Sequence, residues 1–216
     1  MGNDPLVLGL VFSALSLVPF LIVSSTSFLK ISVVVNLVRN AIGVQQIPPN
    51  IVVYSLSLIL SAYVMAPVAN KIYDEVIVPG HSITHSYPEF FRAFSKAVEP
   101  VRGFLKANSS VHQVVFFYST AKRLWTKESM GNTKQTDFII LIPAFMLTEL
   151  VEAFKIGFLL YLPFLVIDLV ISNLLLAMGM MMVSPVMISL PIKLLLFVMA
   201  DGWTRIVHAL VSSYSQ

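Results

Sequence analysis

The chain has no cysteine, which removes disulfides, thiolate metal ligands and a cysteine nucleophile together and leaves the compartment open. Charge is scarce too: 12% of its 216 residues are Asp, Glu, Lys or Arg, and the net charge is +3. The basic residues form no stripe interleaved with aromatics, so nucleic acid is not expected as a partner. No HExxH motif occurs, and no serine and histidine stand at a spacing that defines a catalytic pair, so no enzyme is expected. His81 and His85 are four apart, but Pro79-Gly80 before them and Pro88 after them favour a loop, and with His112 they make no metal pattern. No metal or cofactor is assigned.

What is abundant is apolar sequence, 57% of the residues, with a mean hydropathy of +0.85. That is far from the soluble average and reads as a membrane protein. The amino end, MGNDPLVLGLVF, carries an acid where a signal peptide needs a base, so a cleaved leader is not expected. Residues 6–23 are apolar and resume after SSTS, long enough for a helix that crosses or lies within a bilayer. Pro19 predicts a kink, with Ser24, Ser25 and Thr26 available to bond the carbonyls it frees. Lys30 falls in FLKISVVVNLV and either faces an interior or snorkels to an interface. Residues 40–50, NAIGVQQIPPN, make a helix-ending connection. Residues 51–68 form a second apolar element, with Ser55, Ser57 and Ser61 suited to close helix packing and Pro67 marking its expected end.

The composition changes over 70–137, where nine of the 14 basic residues lie. Apolar residues recur there at helical spacing. The pattern predicts two or three amphipathic helices separated near Pro100 and near residues 108–110, their charges forming a solvated face. Three segments result: an N-terminal hydrophobic hairpin over 1–69, a polar helical domain over 70–137 and a C-terminal hydrophobic hairpin over 138–216. Arg39 lies near the first hairpin connection and the amino end has no base. The positive-inside bias therefore puts that connection in the cytoplasm and the polar domain on the outer side.

The last third is apolar sequence broken by single charges. Glu149, Glu152 and Lys155, at intervals of three, share much of one helix face and read either as a wet step between two apolar helices or as a buried subunit contact. Asp168, flanked by Val-Ile and Leu-Val, is expected to be paired inside protein or to face a wet cavity. Lys193 and Asp201 would stand about 80° apart and about 12 Å along one helix, too far to meet directly. Between these charges lies LLLAMGMMMVSPVMISLPIK, residues 174–193. Gly179 and Pro185 bracket Met180, Met181 and Met182 and place them in a loop or helix end. Flexible thioethers can fill a core or close something that must open.

Two blocks carry a resemblance. TSFLKISVVVNLVRNAIGVQQIPPN at 26–50, and the stretch from LIPAFMLTELVEAFKIGF through MGMMMVSPVMISLPIKLLLFVMADGW at 141–203, resemble the signature blocks of the FliP/SctR family. These are core export-apparatus proteins of bacterial type III secretion systems. The resemblance implies an all-α, membrane-associated chain whose paired helices pack within a helical, conical homopentamer together with SctS-type and SctT-type subunits. It implies a location at the bacterial inner membrane with the polar domain on the periplasmic side, and unfolded secreted proteins as cargo. It also implies that Met180, Met181 and Met182 form a gasket around the closed pore. The lack of a leader favours the injectisome branch. A homo-oligomer supplies partners for buried charge, which makes Lys30, Glu149, Glu152, Lys155, Asp168, Lys193 and Asp201 candidate subunit contacts. The competing expectation is a proton- or ion-coupled transporter with Glu149, Glu152 and Asp168 as a relay. No internal repeat supports it.

Overall fold

The computed structural model describes residues 12–13, 16, 18–44, 47–77 and 87–214. His81, His85, Gln45, Gln46 and most of the first apolar stretch before Val18 lie outside the described residues. Helices follow the apolar runs: α1 Val18–Ser25, α2 Phe28–Ile42, α3 Asn50–Ile72, α4 Tyr87–Ala107, α5 Val111–Leu124, α6 Lys127–Met130, α7 Phe138–Ala177, α8 Pro185–Met199 and α9 Gly202–Ser212. A π-helical turn, Tyr73–Ile77, extends α3. Among the described residues the chain is entirely helical. The spans Asn50–Glu75 and Phe138–Ala177 are long and apolar enough to cross a membrane, and there are up to four spans if two bent helix pairs each count as one.

Proline marks the breaks at Pro48-Pro49 and Pro185 but not those expected at Pro67 and Pro100. Pro19 is the second residue of α1, and an interruption follows at Thr26 and Ser27. There Thr26 Oγ1 donates to the Ile22 carbonyl at 2.6 Å and Ser25 Oγ to that of Leu21 at 2.5 Å, so hydroxyls satisfy the last carbonyls of α1. Pro67 sits inside α3 and Pro100 inside α4, where the helical bonds on either side outweigh the one that proline removes. The break expected at 108–110 is present, between α4 and α5. The charged stretch 149–155 is no step at all: it lies within the continuous 40-residue α7. At ~1.5 Å per residue that helix is about twice the hydrocarbon thickness of a bilayer.

The chain divides into two compact units, residues 1–29 with 65–149 and residues 30–64 with 150–216. In the first, Leu105 of α4 packs with Leu141 and Phe145 of α7, joined by Val101, Phe104, Val114 and Phe138. The Ser110 amide, at the start of α5, donates to Thr148 Oγ1 at 3.0 Å, and that hydroxyl donates to the Ala144 carbonyl at 2.7 Å. The orphan donor of one helix start is thus satisfied by a side chain of another helix.

In the second unit α2 is the centre. Ile31, Val34, Val35, Val38, Ala41 and Ile42 are buried against Val53, Ala153, Phe164, Phe197, Ile206 and Leu210. Close approach needs small residues. A Cβ on Gly157 would fall 2.2 Å from Leu37 Cδ1, and Ser57 and Ser61 of α3 are buried, whereas Ser55 is exposed. Arg39 ties the turn into α3, with Nη1 donating to Asn50 Oδ1 at 2.6 Å and to the Pro48 carbonyl at 3.1 Å.

Candidate functional site

The methionine loop lies in the second unit and is built by two opposite helix-ending devices. At the end of α7, Gly179 takes the left-handed conformation, φ +72°. The Met180 amide donates to the Leu175 carbonyl at 2.9 Å and the Gly179 amide to that of Leu176 at 3.0 Å. This is the Schellman pairing, which needs a residue free to take positive φ. At the other side Ser184 is the N-cap and Pro185 the first residue of α8, where a missing amide proton costs nothing. Two further bonds, Met181 amide to Gly179 carbonyl at 3.0 Å and Val183 amide to Met180 carbonyl at 3.3 Å, tie the turn between them. The backbone is therefore committed while the side chains are not: Met181 is 80% exposed, Met182 fully exposed, and Met180 exposed as well.

Two lysines do the reverse. Lys30 of α2 is buried, 2% exposed, and its Nζ donates to Glu152 Oε2 at 2.7 Å; the glutamate side chain is 47% exposed. Ser213 Oγ stands 3.5 Å from the same Nζ, and the Tyr214 ring centroid is 4.1 Å away, so the end of the chain covers the ammonium with a hydroxyl and an aromatic face. Lys193 of α8 is 8% exposed and donates to Asp168 Oδ2 of α7 at 2.6 Å, the aspartate being 38% exposed. It donates also to the Ala41 carbonyl of α2 at 3.3 Å. Each pair thus has a buried cation and a half-open carboxylate, which puts one ion pair on α2 with α7 and the other between α7 and α8.

Glu149 is buried in the first unit. Lys155 is exposed beside Val151, Phe154 and Phe158 on an open apolar face of α7. Asp201 is exposed in the turn between α8 and α9, with φ +52°, where the two helices bend by 59°. Lys193 and Asp201 do not meet. Gly202, Ser213 and Tyr214 escape sequence reasoning. A Cβ on Gly202 would lie 2.3 to 2.6 Å from three ring atoms of Phe197, and nothing in the local sequence announces that neighbour. Among the described residues no three metal-ligating side chains gather.

The sequence profile described as "FliP family" matches residues 11–210. "Yop proteins translocation protein R" of Yersinia pestis is 52% identical over 213 residues, covering 98% of this chain and 97% of that protein. "Virulence protein YscR" of Salmonella typhimurium is 45% identical over 217 residues, covering 100% and 99%. "Harpin secretion protein HrcR" of Erwinia amylovora is 42% identical over 211 residues, covering 98% and 97%.

Proposed function

Because the chain belongs to the FliP family, we propose that it is an export-gate subunit of a type III secretion system, in the injectisome branch to which relatives named for translocation, virulence and harpin secretion point. It is a component of an export apparatus and not an enzyme. In this reading copies of the chain form a homopentamer, joined by SctS-type and SctT-type subunits in a conical assembly in the inner membrane, with the polar segment 70–137 on the periplasmic side. Unfolded secreted proteins pass along its axis. Met180, Met181 and Met182 meet there and seal the closed pore.

The observation that carries this reading is the loop itself: a hydrogen-bonded backbone that displays three soft apolar side chains to the outside of the chain. A dry apolar constriction resists ions, and thioethers adapt to whatever passes. Replacing all three methionines by glycine should raise the ion conductance of the assembled complex in a planar bilayer; an unchanged conductance overturns the gasket.

The half-open carboxylates of Glu152 and Asp168 support a second role. Each holds a buried lysine with one oxygen, Oε2 or Oδ2, and an exposed carboxylate has lone pairs for a donor on a neighbouring copy. The exposed Lys155 and Asp201 are assigned to subunit contacts too; Glu149 is buried within the chain. A transporter relay through Glu149, Glu152 and Asp168 has no further observation in its favour.

A further inference from the structure

We propose that Lys193 is the positioning residue of the methionine loop: its one ammonium ties α8 both to α7 and to the end of α2, and the closed seal depends on that tie. The use of the tie in the gate rests on the gasket reading. From Asp168 to Ala177 on α7, and from Pro185 to Lys193 on α8, the two arms that carry the loop are about 14 Å and about 12 Å long. Arms of near-equal length make the Lys193–Asp168 pair, 2.6 Å from Nζ to Oδ2, a rung across the hairpin. The same Nζ donates to the Ala41 carbonyl at 3.3 Å. Ala41 is the penultimate residue of α2, and the last carbonyls of a helix lack partners along it and favour a cation. One turn earlier on α8, Leu190 stands against Gly43, where an added Cβ would lie 3.8 Å from Leu190 Cδ1. The second arm therefore leans on the end of α2 at two successive turns.

Stability alone does not account for a charge in this place. Ser189, Lys193 and Phe197, at intervals of four, form the buried seam of α8, and a buried ion pair is often no more stable than apolar residues of similar volume. What such a pair supplies is register. Between the rung and the loop both arms are apolar apart from Ser172, Asn173 and Ser189, and packed aliphatic side chains exchange for one another at little cost. An ammonium with acceptors on two other helices has one position. The Lys30–Glu152 pair cannot substitute for it, because it meets α7 about 24 Å further from the loop.

The test attaches spin labels through Asn40→Cys on α2 and Met187→Cys on α8, both exposed positions, in a chain with no cysteine of its own. Labelled chains are diluted with unlabelled ones in the assembled complex, so that the distance read lies within one chain. Lys193→Met should lengthen that distance by about 3 Å, the reach of the lost bond, and broaden it, at unchanged helix content. The same variant should raise the ion conductance of the complex in a planar bilayer. Lys193→Arg, which keeps the charge and has donors for both acceptors, should keep the parent distance and the seal. Should Lys193→Met fail to assemble, the same labels are read in the full chain in detergent, where the same shift is expected. An unchanged distance with Lys193→Met overturns the inference, and so does an equal shift with Lys193→Arg. A displaced arm in a complex as tight as the parent also overturns it, when replacing the three methionines by glycine makes the complex leak. A glycine variant that stays sealed defeats the gasket instead, and the label distances still decide whether Lys193 positions the loop.

Discussion

The methionine loop and the lysine pairs place polarity in opposite order. In the loop the least polar side chains point outward, with Met182 fully exposed; around α2 two ammonium groups point inward, each met by a carboxylate and further acceptors. A chain stable by itself in water would reverse both choices, since apolar surface belongs inside and charge outside. Each of these lysines meets a carboxylate within the second unit. The methionines have no such internal answer, so their surroundings must come from outside the chain. On the proposed reading one region is finished on folding and the other on assembly.

The largest effect should come from breaking the finished region, and it should be lopsided. Glu152→Gln or Asp168→Asn takes the carboxylate away from a buried ammonium, and breaking a buried pair costs about 3 kcal/mol. Lys30→Met or Lys193→Met strands a carboxylate that water or a headgroup can reach, with a cost nearer that of a surface pair, about 1 kcal/mol. Unfolding in a mixed-micelle detergent titration should rank the acid variants below the lysine variants, and Lys30→Met should rescue Glu152→Gln. Equal losses would mean that both partners are buried alike. A native gel separates stability from assembly: Asp168→Asn that folds yet keeps the oligomer of the parent chain removes Asp168 from the proposed subunit contacts.

Both regions were partly legible in the sequence. Gly179 and Pro185 announce the loop because each residue type has one backbone preference that a helix interior refuses, and the structure puts them at a C-terminal turn and a first helical position. Lys30 and Asp168 announce themselves as charges in apolar sequence. Their partners do not, because Lys30 reaches Glu152 across 122 positions and Lys193 reaches Asp168 across 25, and periodicity is silent about distances of that kind. The prolines misled for a local reason: 67 and 100 each remove one helical bond, and the surrounding helix absorbs it. The family resemblance supplied the expectation of a pentamer, a pore and partners, which no helical pattern encodes.

Next in size are the two glycines that flank these regions. Gly202→Ala forces a Cβ against the Phe197 ring, which is itself held edge-on to Trp203 with centroids 5.3 Å apart. Overpacking of this kind costs about 2 kcal/mol and should lower the thermal midpoint followed by circular dichroism. Gly179→Ala meets nothing within 4 Å, so only its φ of +72° is strained, at about 1 kcal/mol. A smaller loss at 202 than at 179 would mean that the ring has room to move and that the α8–α9 corner is not fixed by packing.

The smallest effect on stability should come from the residues with the largest proposed role. Serine at 180, 181 and 182 together removes three thioethers, yet these side chains are exposed and the bonds that shape the loop run through the backbone. Surface changes of that kind fall within about 0.5 kcal/mol, so the detergent-solubilised chain should melt as the parent does, with the same helix content. If the proposed seal holds, its assembled complex should nevertheless leak ions, because hydroxyls wet an apolar constriction. A triple serine variant that unfolds as readily as Glu152→Gln would make the methionines part of this chain's own core, and the contrast between a region finished by folding and one finished by assembly would collapse.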